Sequence, residues 1–91
     1  MTIQQAVFLA QEAEKMFDRA AKVWVRGNNS GNPETLKRCE KRCDKLRRGA
    51  VSLLSPLDIE VDFPGLYPSF KVRGFEHHST LSAISAALEG V

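Results

Sequence analysis

Apolar residues recur at intervals of three and four along the first quarter of the chain, which predicts a helix over residues 3–26. Thr2 and Gln5 have the spacing of a capping box at its start. Every seventh residue in one row is alanine, at Ala6, Ala13 and Ala20, and small rows allow a second helix to approach closely. The broad apolar face consists of Ile3, Ala6, Leu9, Ala10, Ala13, Met16, Phe17, Ala20, Val23 and Trp24.

A second helix is predicted over residues 33–54, after a Gly/Asn/Ser-rich loop at 27–32. Asn32 is a suitable N-cap, and Pro33 suits the first helical position. The seam of this helix follows alternating spacings of three and four through Leu36, Cys39, Cys43, Leu46, Ala50 and Leu53. We expect the helix to continue through Gly49 to the Ser55-Pro56 step, the alternative being a break at Gly49. The short loop predicts antiparallel pairing of the two helices.

The remaining chain predicts a β-hairpin over residues 57–74 and a helix over 80–89. Apolar and acidic residues alternate along 57–63, and a second alternating segment covers 69–74. Antiparallel pairing would place Lys71 and Arg73 opposite Asp58, Glu60 and Asp62. Ser79 or Thr80 caps the last helix, and Gly90 ends it. The predicted fold class is α+β, with an antiparallel helical hairpin followed by a β-hairpin and a short C-terminal helix, α-α-β-β-α.

Composition indicates one globular domain over residues 1–91, because 43% of the residues are hydrophobic and 26% are charged. The start of the chain lacks the pattern of a signal peptide, and no apolar run is long enough to span a bilayer. Both observations favour a protein of the cytoplasm that has no membrane partner.

The cysteines and histidines could in principle carry chemistry, but structural roles explain their positions better. Cys39 and Cys43 lie one turn apart in the predicted seam, which favours buried thiols over a disulfide or a zinc site. His77 and His78 precede a helix start, where solvated imidazoles are expected. Phosphate-binding glycine loops, nucleophile elbows and zinc-protease motifs are absent from the sequence. We therefore expect no catalytic residue, no metal, no cofactor and no small-molecule substrate, and a protein that is not an enzyme.

Charge is strongly uneven along the chain. Residues 36–48 hold seven basic and two acidic side chains, a net charge of +5, whereas the overall net charge is only +2. Six of the seven basic residues fall within about 140° of the second helix, on the side away from its seam. Glu40 and Asp44 lie nearer the edge of the seam. The predicted partner-binding residues are Lys37, Arg38, Lys41, Arg42, Lys45 and Arg48.

Such a surface can bind the phosphates of a nucleic acid or an acidic protein. The whole chain, short and motif-free with a charged surface, resembles the small proteins encoded by phages and prophages, and among them it is similar in type to the anti-CRISPR proteins. That resemblance transfers no individual residue. It implies a non-enzymatic inhibitor that binds a protein or nucleoprotein complex, such as a CRISPR effector with its guide RNA, in the bacterial host cytoplasm. A free-standing nucleic-acid-binding phage regulator and a structural helical-hairpin oligomer are the alternatives.

Overall fold

The computed structural model describes residues 2–89. Two long helices come first, α1 (Ile3–Asn29) and α2 (Pro33–Leu54), and a single 3-10 turn at Ser55–Leu57 follows them. Three strands then form one sheet, β1 (Glu60–Asp62), β2 (Ser69–Val72) and β3 (Phe75–His77), before helix α3 (Thr80–Glu89). The predicted α+β class and the order of helices and strands are confirmed.

Both long helices begin at the N-caps that the sequence predicts. The Thr2 hydroxyl accepts a hydrogen bond from the Gln5 amide, and the Gln5 side chain accepts one from the Thr2 amide. At the start of α2, Asn32 Oδ1 accepts from the amide of Glu34 at 2.9 Å. These bonds satisfy amides at the helix starts that have no partner within the helix, so the local sequence determines where each helix begins.

The predicted loop at 27–32 is too long, because α1 continues to Asn29. Gly27 lies inside the helix and is buried against α2, where an added Cβ would come within 2.6 Å of the Cβ of Cys39. Gly27 therefore extends the row of small residues formed by Ala6, Ala13 and Ala20, all of which are buried. Packing against α2 outweighs the low helix propensity of glycine.

Helix α2 does not break at Gly49, so the predicted continuation to residue 54 is confirmed. Gly49 faces the side chain of Met16 in α1, and an added Cβ would lie 2.5 Å from its Cε. The helix ends where Pro56 enters the 3-10 turn, as expected for a residue that has no backbone amide hydrogen.

The sheet differs from the predicted β-hairpin at 57–74 in its extent and in its number of strands. Its strand order is β1-β2-β3, and both pairs are antiparallel. Only Glu60–Asp62 of the first alternating segment forms a strand, since Asp58 adopts a left-handed conformation after the 3-10 turn. The predicted pairing of Lys71 with an acidic residue is confirmed, because Lys71 lies opposite Glu60.

Arg73 does not face the acidic strand, which corrects that part of the prediction. It and Gly74 both have positive φ and form the two-residue turn between β2 and β3, a geometry that matches the twist of paired strands. The Arg73 guanidinium instead donates to the carbonyl of Ala87 in α3. Strand β3 was not predicted, because its residues Phe75, Glu76 and His77 do not alternate clearly in hydropathy.

Helix α3 has the predicted bounds, and Ser79 is its cap: the Ser79 hydroxyl accepts from the amide of Ser82 at 3.1 Å. Thr80, the other candidate, is buried. The predicted end at Gly90 lies outside the described residues.

The main core forms where α3 and the sheet pack on the open end of the helical hairpin. Its centre is Phe17, whose ring contacts the rings of Phe63 and Phe70, each with a centroid separation of 5.8 Å. Leu54 and Ile84 close this core from α2 and α3. Hydrophobic residues from both long helices, β1, β2 and α3 therefore meet at one end of the molecule.

A second, smaller cluster stabilises the other end of the hairpin. It consists of Ala20, Val23 and Cys43, with Cys39 and Leu46 partly buried beside them, so α1 and α2 alone supply it. We call this part, residues 20–29 and 33–46, the helical arm. The predicted apolar residue Trp24 is 40% exposed there, since the cluster includes no third layer to cover it. The molecule measures 48 × 22 × 14 Å.

Candidate interaction surface on the helical arm

The six predicted partner-binding residues are all exposed along α2. Lys37, Lys41 and Lys45 follow one another at intervals of one turn, about 6 Å along the axis. Arg38 and Arg42 form a parallel row beside them. We call the set the basic face; it consists of Lys37, Arg38, Lys41, Arg42, Lys45 and Arg48.

One member of the basic face is paired with an acid. Arg48 Nη2 lies 2.8 Å from Asp44 Oδ2, and the two side chains are 81% and 58% exposed. Exposed pairs of this kind contribute about 0.3–0.5 kcal/mol, so Arg48 can exchange Asp44 for another anion at little cost. Within residues 2–89 the other five members make no ion pair, which leaves their charge available to a partner.

Arg47 differs from its neighbours because it turns inward. Its guanidinium lies 4.5 Å from the centre of the Phe63 ring, and its Nη2 donates to the carbonyl of Leu66 at 3.3 Å. The cation–π contact and the hydrogen bond join α2 to the loop between β1 and β2. Arg47 therefore has a structural role, in agreement with its omission from the predicted partner-binding residues.

The sequence interpretation missed a second basic row, on α1. Arg19, Lys22 and Arg26 are all exposed, and their spacings of three and four place them on one side of the helix. Those spacings were visible in the sequence, but the apolar pattern of α1 dominated its interpretation. Both helices of the hairpin thus present cations, and Lys22 and Arg26 belong to the arm itself.

A cleft lies between α1 and the β1–β2 loop, next to this second row. Ala21 and Val25 line it on the helix, and Leu66 and Tyr67 line it on the loop, with Asp18 and Lys22 at its rim. Val25 is 40% exposed and Tyr67 is 62% exposed. Sequence reasoning could not find this site, because it joins residues more than 40 positions apart.

The cysteines occupy the interface between the two helices, as predicted. Cys43 is buried, Cys39 is partly buried, and neither forms a disulfide. Burial raises the pKa of the Cys43 thiol, and the nearby positive charge of Arg47 opposes part of that effect. A buried, protonated thiol packs as a small hydrophobic side chain. Among residues 2–89, no three His, Cys, Asp or Glu side chains form a group that could hold a metal ion.

The histidines differ from each other in their surroundings. His77 ends β3 and is half-buried, so the prediction of a solvated loop residue is wrong for it, whereas His78 is exposed. His77 Nδ1 lies 2.9 Å from the Ser82 hydroxyl, a contact that ties the end of the sheet to the first turns of α3. This contact explains the position of His77 without assigning it any chemistry.

No protein-family model, curated protein or solved structure matches this chain. The helices of residues 2–89 include none with the length and apolar character needed to cross a membrane. The basic face, the second basic row and the cleft are therefore the features on which a function can be argued.

Proposed function

We propose that this protein is a non-enzymatic binding protein whose basic face occupies a negatively charged surface of a nucleoprotein complex. One observation carries the proposal: five cations that make no ion pair within residues 2–89 lie on a narrow two-helix arm. Cations on such an arm can enter a groove of a partner, because α1 and α2 alone supply the small cluster that holds its helices together.

The arrangement of charge supports a binding role over simple solvation. Solvent-exposed helix faces usually mix positive and negative side chains, which stabilise one another at spacings of three and four. Here Lys37, Lys41 and Lys45 follow one another at one-turn spacing, and of the two acids beside them, Glu40 and Asp44, only Asp44 forms an ion pair with the basic face within residues 2–89, at Arg48. Repulsion among these like charges costs stability, and an anionic partner would relieve it.

A nucleoprotein complex fits this surface because it offers both RNA phosphates and acidic protein patches to a basic arm. The resemblance in type to anti-CRISPR proteins makes a CRISPR effector with its guide RNA, in a bacterial cytoplasm, the first complex to test. Binding there would inhibit by occupying the surface, with one protein per complex and no chemical step.

Charge reversal of the centre of the basic face tests the proposal. The variant Lys41→Glu/Arg42→Glu/Lys45→Glu changes six charge units on one surface, and we expect at least a tenfold loss of affinity for reconstituted effector complexes and of inhibition of their DNA cleavage. The control Lys41→Arg/Arg42→Lys/Lys45→Arg keeps every charge and should bind as the parent does. Circular dichroism should show the same helical content in all three proteins. Inhibition that survives the charge reversal would contradict the proposal.

A free-standing nucleic-acid binder is the second candidate, and the regular spacing of the lysines favours it. Binding that depends on phosphate contacts weakens steeply as salt rises. Titration of naked RNA and DNA oligonucleotides at about 50 mM and about 200 mM salt separates the candidates, because the affinity of phosphate-dependent binding falls by orders of magnitude over that range. An effector complex bound in salt that abolishes oligonucleotide binding would favour the first.

A further inference from the structure

We infer that the cleft between α1 and the β1–β2 loop is a second docking site, which takes a bulky apolar side chain from an acidic segment of a protein partner. The inference rests on the proposed function for the role of the arm, and it names the chemistry of the partner more closely. Two features carry it: the shape and lining of the cleft, and the charge beside it.

The cleft has two walls that are held in place without a ligand. One wall is α1, where Ala21 is buried and Val25 stands beside it. The other wall is the β1–β2 loop, which Arg47 holds at both Phe63 and the Leu66 carbonyl. The loop is anchored close to Leu66 and Tyr67, so it does not have to become ordered when a side chain binds. Binding therefore avoids the entropic cost of ordering the loop.

The lining suits a hydrocarbon or aromatic side chain of a protein. Ala21, Val25 and Leu66 provide no side-chain hydrogen-bonding group, and the exposed ring of Tyr67 can cover whatever enters. An apolar side chain that packs against these three residues brings no polar group of its own to be desolvated, whereas a nucleic-acid base would bury polar edges against them. Exposed Val25 and Tyr67 also gain by being removed from water.

The charges beside the cleft determine which residues of the partner should flank the apolar side chain that enters it. Arg19, Lys22 and Arg26 line the neighbouring surface of α1, and Asp18 is the acid at the rim. An acidic segment is attracted to this row, with its carboxylates directed to Lys22 and Arg26 and away from Asp18. A second copy of this chain would bring another basic row and another basic arm close to the first, so repulsion disfavours it.

Selection from a random peptide library displayed against the full chain tests the inference. We expect the enriched peptides to combine Asp or Glu with a bulky apolar residue. Trp24, the one tryptophan in the chain, lies one turn of helix after the cleft residue Ala21 and is 40% exposed, so its emission should shift to shorter wavelength when a synthetic enriched peptide binds. Oligo(dT) and poly(U), which lack an apolar side chain, should leave that emission unchanged.

Variants separate the cleft from the basic face. Tyr67→Ser and Val25→Ser each remove an exposed apolar side chain, so both should fold, and each should raise the dissociation constant of the peptide at least tenfold. Lys22→Glu/Arg26→Glu should weaken peptide binding and reduce its dependence on salt. Lys41→Glu/Arg42→Glu/Lys45→Glu should reduce binding of the effector complex far more than binding of the peptide.

Three results would overturn the inference. Enriched peptides without acidic and apolar residues would show that the cleft does not select this chemistry. Equal affinity of Tyr67→Ser, Val25→Ser and the parent would place the peptide elsewhere. A shift of Trp24 emission by oligo(dT) that is lost in Tyr67→Ser would assign the cleft to nucleic-acid bases. Each result leaves the charge-reversal test of the basic face intact, so the two failures are distinguishable.

Discussion

At the scale of single residues, glycines show how packing determines the spacing of the two long helices. Gly27 and Gly49 both lie at the α1–α2 interface, and both leave no room for a Cβ in the present arrangement. What each glycine faces is different. Gly27 faces the Cβ of Cys39, which is fixed to the backbone of α2, whereas Gly49 faces the mobile end of the Met16 side chain.

The same substitution should therefore have opposite effects at the two glycines. Alanine gains about 1 kcal/mol over glycine in a helix interior. In Gly27→Ala the helices must move apart, and overpacking of this kind costs about 1–3 kcal/mol, so we expect a net loss of stability. In Gly49→Ala the Met16 side chain can rotate away, and we expect the protein to be equally stable or more stable by up to about 1 kcal/mol.

Urea unfolding followed by circular dichroism measures both changes. Gly31→Ala is an instructive third variant, because Gly31 has open space around it but a positive φ, so any loss there reports backbone strain and not a clash. If Gly27→Ala were as stable as Gly49→Ala, the close approach of α1 and α2 at Cys39 would not be a constraint on the fold.

At the scale of elements, the two long helices have different support along their lengths. Near Phe17 and Leu54 they pack against the sheet and α3, whereas in the arm they pack mainly against each other around Cys43. Helices in proteins gain most of their stability from tertiary packing of the apolar face. The arm therefore has less to hold it than the rest of the hairpin.

Native-state hydrogen exchange should show this difference. Amides of residues 23–29 and 33–42 should exchange through local openings, at free energies below that of global unfolding. Amides near Phe17 and Leu54 should exchange only with global unfolding, because they belong to the main core. A bound anionic partner should slow exchange in the arm selectively. Uniform protection along both helices would contradict the division of the molecule into a core and an arm.

At the scale of the whole molecule, the chain is elongated and its positive charge is spread along the long dimension. A compact chain of this length has a radius of gyration of about 12 Å. The Cα atoms here give 14.3 Å, because the molecule is elongated, with a longest dimension of 48 Å. The basic face follows that long dimension on α2, so the shape spreads the cations over a surface wider than a globular protein of this size would offer.

Small-angle X-ray scattering tests the shape directly. We expect a radius of gyration clearly above about 12 Å and a pair-distance distribution with an extended tail. Light scattering on the same samples gives the mass. A mass of two or more chains, persisting on dilution, would instead favour the alternative of a structural helical-hairpin oligomer, and a compact profile at the mass of one chain would contradict the elongated fold.

The sequence by itself determined most of the helices and the position of the basic face. The caps at Thr2 and Asn32 use bonds within three residues, and the seam of α2 repeats at the helical period, so both could be predicted locally. The direction of the basic face follows from the same period, because residues opposite a buried seam point to solvent.

Tertiary structure alone decided the details that depend on distant residues. Gly27 is helical because Cys39 lies against it, and Arg47 turns inward because Phe63 and Leu66 are there to receive it. Strand β3 exists because β2 offers it a hydrogen-bonding edge, although its own sequence has weak alternation. The cleft at Val25 and Tyr67 likewise exists only because distant elements pack together. Periodicity reports which way a side chain points from its own element, and only the packing of elements determines what it meets there.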